Sequence, residues 1–99
     1  MKNIDDFLSW LEEWYTLQCD GDWEHDFRIR ISTVDNPGWF VQINLLDTPC
    51  QDKSFEEINK ERSEKDWVMC YLKNGCFEGA GGSRNLLEIL KLFKDWVEK

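Results

Sequence analysis

Two stretches of the chain hold residue types that could do chemistry. In the first, Asp20-Gly21-Asp22-Trp23-Glu24-His25-Asp26 sets acids around a glycine, as a calcium loop does. A calcium loop also needs glycine at its sixth position and a glutamate at its twelfth to complete the oxygen shell. Counted from Asp20, those positions hold His25 and Ile31, so the pattern fails twice and no metal site is expected. His25 itself is the only histidine, and Glu24 or Asp26 could orient it as a general base. No serine or cysteine stands at a recognisable spacing to be activated. The plainer expectation is a histidine hydrogen-bonded to an acid where a helix gives way to a strand.

The second stretch runs from Cys76 through Gly79-Ala80-Gly81-Gly82 to Arg84. A cysteine, a glycine-rich run and an arginine before a helix resemble the anion cradles of cysteine phosphatases and sulfurtransferases. In those enzymes backbone N–H groups hold the anion and the helix dipole lowers the thiol pKa. Here seven residues separate Cys76 from Arg84, longer than the phosphatase spacing, and a two-residue turn replaces the buried parallel strand. Gly79, Gly81 and Gly82 read as a flexible bend feeding the last helix. No catalytic residue and no cofactor are expected.

Six tryptophans are many for 99 residues, and five of them fall on apolar stripes. Trp23 is the exception, flanked by Asp22 and Glu24. Either it is an exposed anchor for a partner, since tryptophan is enriched at binding hot spots, or it folds back as a lid over the adjoining hairpin.

Composition narrows the function classes. Twenty acids against twelve bases give a net charge of −8, which argues against binding nucleic acid or anionic membranes. Hydrophobic residues make up 41% of the chain, too many for a disordered acidic tail. One domain spanning residues 1–99 is expected. Most of the imbalance lies in residues 1–26, where eight acids face only Lys2. The start lacks the apolar core of a signal peptide, and the longest apolar run, Trp67 to Leu72, is far short of a membrane span. The four cysteines are therefore expected to be reduced thiols in the cytoplasm.

The elements that position these residues follow from periodicity. Ile4, Phe7, Leu8, Leu11, Trp14 and Tyr15 recur at helical spacing, with Trp10 and Leu17 along one edge. Asn3 is placed to cap this helix, which should stop near Cys19-Asp20-Gly21. Phe27 to Thr33 alternates, turning Phe27, Ile29 and Ile31 to one face. Asp35-Asn36-Pro37-Gly38 is turn chemistry, and Trp39 to Leu45 returns with Trp39, Val41, Ile43 and Leu45 inward. Residues 51–66 could be loop, short helix or ragged edge strand. Trp67 to Leu72 reads as a central strand, and Asn74-Gly75 turns the chain into a brief strand at Cys76-Phe77-Glu78. Ser83 or Asn85 can cap a last helix with Leu86, Ile89, Leu90, Phe93, Trp96 and Val97 on one stripe. The expected fold is α+β: an antiparallel sheet of about four strands with N- and C-terminal helices packed on it.

Several word-like blocks then stand out. Trp14 to His25, Asp35-Asn36-Pro37-Gly38-Trp39, Asp66-Trp67-Val68-Met69-Cys70, Phe77 to Gly82 and Asn85 to Trp96 occur in this order. Together they resemble the bacterial immunity protein 53 family, with residues 47–65 matching poorly. The resemblance implies an α+β cytoplasmic immunity protein of a polymorphic toxin system. Its partner would be the cognate toxin domain encoded beside it, with neither nucleic acid nor membrane as ligand. No binding residues carry over from the family, so the interface is inferred from charge: Glu12, Glu13, Asp20, Asp22, Trp23, Glu24 and Asp26. Asp20 and Asp22 could equally be structural caps. Two other classes stay open, a small ligand-binding or scaffold protein and a cysteine-dependent enzyme of the phosphatase or sulfurtransferase kind.

Overall fold

A computed structural model describes residues 4–99. In order, they form helix α1 (Ile4–Gln18), helix α2 (Trp23–Asp26), strands β1 (Ile29–Val34), β2 (Gly38–Asn44), β3 (Ile58–Glu61), β4 (Trp67–Lys73) and β5 (Cys76–Gly81), and helix α3 (Leu86–Glu98). The strands make one antiparallel sheet in the order β1-β2-β5-β4-β3. The fold is α+β, with five strands where about four were expected. Asn3, the expected cap of α1, lies outside the described residues. Among those residues no helix is long and apolar enough to cross a membrane.

The first hairpin forms as its alternation predicts, with Ile29 opposite Ile43 and Ile31 opposite Val41 around a turn containing a cis Asn36–Pro37 bond. Asn74 and Gly75 make the second tight turn, both at positive φ (51 and 78), as Asn-Gly pairs do between antiparallel strands. One expectation changes at the sheet's centre and one holds. Gly79 and Gly81 are not a bend but the second half of β5, the middle strand, and β4 lies beside it, paired on both sides as a central strand should be. The undecided segment supplies β3, a short charged edge strand.

Val41 and Ile43 of β2, Phe77 of β5, and Val68 and Cys70 of β4 are buried on one face beneath the helices. Period-two alternation puts them there. Phe93 of α3 sits at the centre, with ring centroids 5.1 Å from both Phe77 and Trp14. Such buried aromatic and aliphatic side chains each contribute roughly 1.5–3 kcal/mol over remaining exposed. The cover does not reach the sheet margin. Ile31, expected to point inward, is 41% exposed, and on α1 Leu8, Tyr15 and Leu17 are exposed too. Periodicity reports which way a side chain faces, not whether another element lies over it.

The segment 51–66 secures both ends of α3. Lys53 donates from Nζ to the carbonyl oxygens of Val97 (3.2 Å) and Lys99 (3.1 Å), and to that of Trp96, satisfying acceptors the helix leaves open at its C-terminus. At the other end Arg62 makes a two-pronged contact with Asp66 (3.0 and 2.8 Å) and reaches Glu88. Asn85, expected as a cap, precedes α3 but makes no capping bond. Its Nδ2 donates to Asp66 (2.9 Å) and Glu88 (3.1 Å), while its Oδ1 is buried without a hydrogen-bond partner.

The Arg62 guanidinium first, and Asn85 second, hold the Asp66 carboxyl down to about 2. A depressed acid stabilises the fold above its unfolded value near 4, and that stabilisation is lost as pH falls toward 2. The gap in urea midpoint between the native chain and Asp66→Asn is therefore expected to be constant above about pH 5 and to close between about pH 4 and 2. A gap independent of pH would mean the ion pair adds nothing.

Candidate functional site

The acidic segment folds around its own backbone. Gly21 turns the chain at φ +97, and Asp20 Oδ1 accepts the N–H groups of Asp22 (2.9 Å) and Trp23 (3.0 Å) at the start of α2. Those two bonds hold the Asp20 carboxyl below its ordinary value. Glu24 reaches back from α2, its carboxylate accepting the N–H of Asp20 (3.0 Å) and of Gly21 (2.9 Å). The pair is a reciprocal cap on one turn of helix. Asp20 and Glu24 are thus committed to the backbone, whereas Asp22 makes no side-chain cap bond.

Trp23 is 2% exposed. Its Nε1–H donates to the Leu46 carbonyl at 3.0 Å, and its ring lies 6.3 Å from Trp14, 6.0 Å from Tyr15 and 6.4 Å from Phe27. Of the two expectations for this residue, the lid describes its position. The ring docks α2 against the half of α1 that carries Glu12 and Glu13. Glu12, Glu13, Asp22 and Asp26 remain exposed, and none has a side-chain hydrogen bond or ion pair among the described residues. His25 is exposed beside them on α2. Among the described residues no three His, Cys, Asp or Glu side chains converge as a metal ion would require.

Three of the four cysteines are not poised to attack. Cys50, Cys70 and Cys76 are buried thiols, and burial raises all three, Cys70 to about 12. At Cys76 the Glu78 charge adds to that rise, opposite to the lowering a nucleophilic thiol needs.

The other face of the sheet escaped the sequence reading as a site. Arg30, Gln42, Glu78 and Tyr71 are successive cross-strand partners on β1, β2, β5 and β4. They alternate with the core residues and so face away from α1 and α3, and among the described residues no helix packs there. Gln42 Nε2 donates to Glu78 at 2.9 Å, and Tyr71 lies against the same carboxylate. Glu78 is 8% exposed. The next row holds Phe40, Ala80 and Met69, all half-buried. An acid between Cys76 and Ala80, at period two, was the available signal. It became meaningful only once β2 and β4 flanked it.

The two regions meet. A surface hollow of about 260 Å³ is lined by Asp26 and Phe27 on one side and by Arg30, Gln42 and Asn44 on the other. Arg28 lines it too, so two exposed arginines, Arg28 and Arg30, stand between the acidic helical turn and the open sheet face. Both are open surfaces rather than enclosed cavities.

This chain belongs to the Immunity protein 53 family, whose sequence model matches residues 8–98. The family is one of immunity proteins of toxin systems, which implies a protein partner. No curated protein and no solved structure matches the chain.

Proposed function

We propose that this protein neutralises a cognate toxin domain by binding it stoichiometrically in the cytoplasm, without catalysis of its own. The observation that carries the reading is the set of exposed, uncommitted carboxylates Glu12, Glu13, Asp22 and Asp26 around the buried Trp23, in a chain of this family. Asp20 and Glu24 belong to the same surface but act through the backbone, shaping the turn that presents the others. A toxin domain that attacks nucleic acid must carry a basic groove, and an acidic surface fits that groove. Charge of this kind speeds encounter more than it slows release.

The test is growth rescue on co-expression with the toxin domain of the adjacent gene, alongside the double variant Asp22→Lys, Asp26→Lys. Neither residue is bonded through its side chain, so the variant is expected to keep the native circular dichroism and urea midpoint. Its association rate with the toxin domain should fall about tenfold at low salt and its salt dependence should flatten. Unchanged association would move the interface off the acidic turn, and absence of both rescue and complex with the native protein would overturn the immunity reading.

A further inference from the structure

A carboxylate buried away from water is costly unless a cation or several hydrogen bonds compensate it. Glu78 is 8% exposed and has contacts to Gln42 and Tyr71, but no ion pair among the described residues. A carboxylate offers about four lone-pair positions, so roughly two are left open. The nearest cations on its face do not fill them. Arg30 lies two strands away, roughly 10 Å by strand spacing, and Lys73 is diagonal to it on β4; both are exposed. Above and beside the carboxylate stand Phe40, Met69 and Tyr71, half-buried on a face that no helix covers.

From this arrangement we infer that the helix-free sheet face is part of the toxin-binding surface, and that Glu78 receives an arginine side chain of the toxin domain. The inference rests on the immunity reading and extends its interface across the hollow between Asp26 and Gln42. Arginine fits better than lysine for two reasons. Its planar fork can use both open positions of the carboxylate, and its flat face stacks on Tyr71 and Phe40 as an ammonium cannot. A basic toxin surface, of the kind the acidic turn selects, carries such side chains. The two halves then divide the work, with exposed acids governing approach and the buried acid governing release.

Glu78→Gln tests this, since it keeps the size and one acceptor oxygen for Gln42 while removing the charge and the second acceptor that the arginine fork would use. Binding to the purified toxin domain is expected to weaken on the order of 30-fold or more, through faster dissociation, with association nearly unchanged. The acidic-turn variant should show the reverse pattern. A native complex with unaltered dissociation in a folded Glu78→Gln protein overturns the inference and leaves the immunity reading standing. No complex with the native protein overturns both. Should Glu78→Gln fail to fold, hydroxyl-radical footprinting of the native complex decides the matter: Met69 and Tyr71 should be protected several-fold by the toxin domain, and unchanged labelling of both overturns the inference.

Discussion

Trp23→Ala is expected to lower the unfolding free energy by about 3–5 kcal/mol, the range for deleting a buried aromatic side chain. The ring touches Trp14, Tyr15 and Phe27, and its N–H closes the contact with Leu46, so alanine empties a space bounded by α1, the α2–β1 junction and the loop after β2. Folded chains hold about 5–15 kcal/mol in all, which makes this a large fraction. Trp23→Phe should cost less, roughly 1–2 kcal/mol, because a ring still fills part of the space and one hydrogen bond is lost. Urea unfolding followed by far-ultraviolet circular dichroism checks both. A partner-facing tryptophan would give the opposite result, with stability intact and only toxin affinity reduced.

The second large effect is expected at Gly79. A Cβ built there would lie 2.5 Å from Ile89 Cγ2 and 3.3 Å from Cys70 Sγ, inside van der Waals contact with a residue that is fully buried. Gly79→Ala should therefore cost about 1–3 kcal/mol despite the gain in β propensity. A double-mutant cycle identifies the cause. Ile89→Ala removes Cγ2, so combining it with Gly79→Ala should cost at least about 0.5 kcal/mol less than the sum of the two changes. Ile89→Val keeps Cγ2 and should give a nearly additive pair. Additivity in both combinations would show that helix α3 does not set the size limit at this position.

Gly79 also shows where sequence patterning stops. Glycine signals a turn because it lacks a side chain, but a missing side chain equally lets a helix approach a strand closely. Only Ile89, ten residues further on, distinguishes the two, and no periodicity connects them. The amphipathic stripes of α1 and α3 and the alternation of β1 and β2 were legible because each is a local repeat. Leu17 and Ile31 obey those repeats and are exposed all the same, since coverage depends on where a second element ends. Strand β3 was hidden for another reason: Ile58-Asn59-Lys60-Glu61 is polar, as suits an edge that must not recruit further strands.

The acidic turn was half legible. Its charge and its turn glycine could be read directly, but which acids serve the backbone could not. Asp20 and Glu24 sit four apart and bond across that gap, while Asp22 between them stays out. An acid in a short strand, such as Glu78, reads as solvent-facing. Its burial comes from neighbours supplied by β2 and β4, more than 30 residues upstream in the case of Gln42.

The strand order has a consequence for how the molecule is born. β5 is the last strand to be synthesised and the one that joins the two halves of the sheet, β1-β2 on one side and β4-β3 on the other. A nascent chain that has emerged only as far as the Asn74-Gly75 turn holds two strand pairs with no ladder between them. Isolated two-stranded pairs are marginal in water. Assembly of the sheet therefore waits for β5, so chains cut short before it have no sheet centre on which to build.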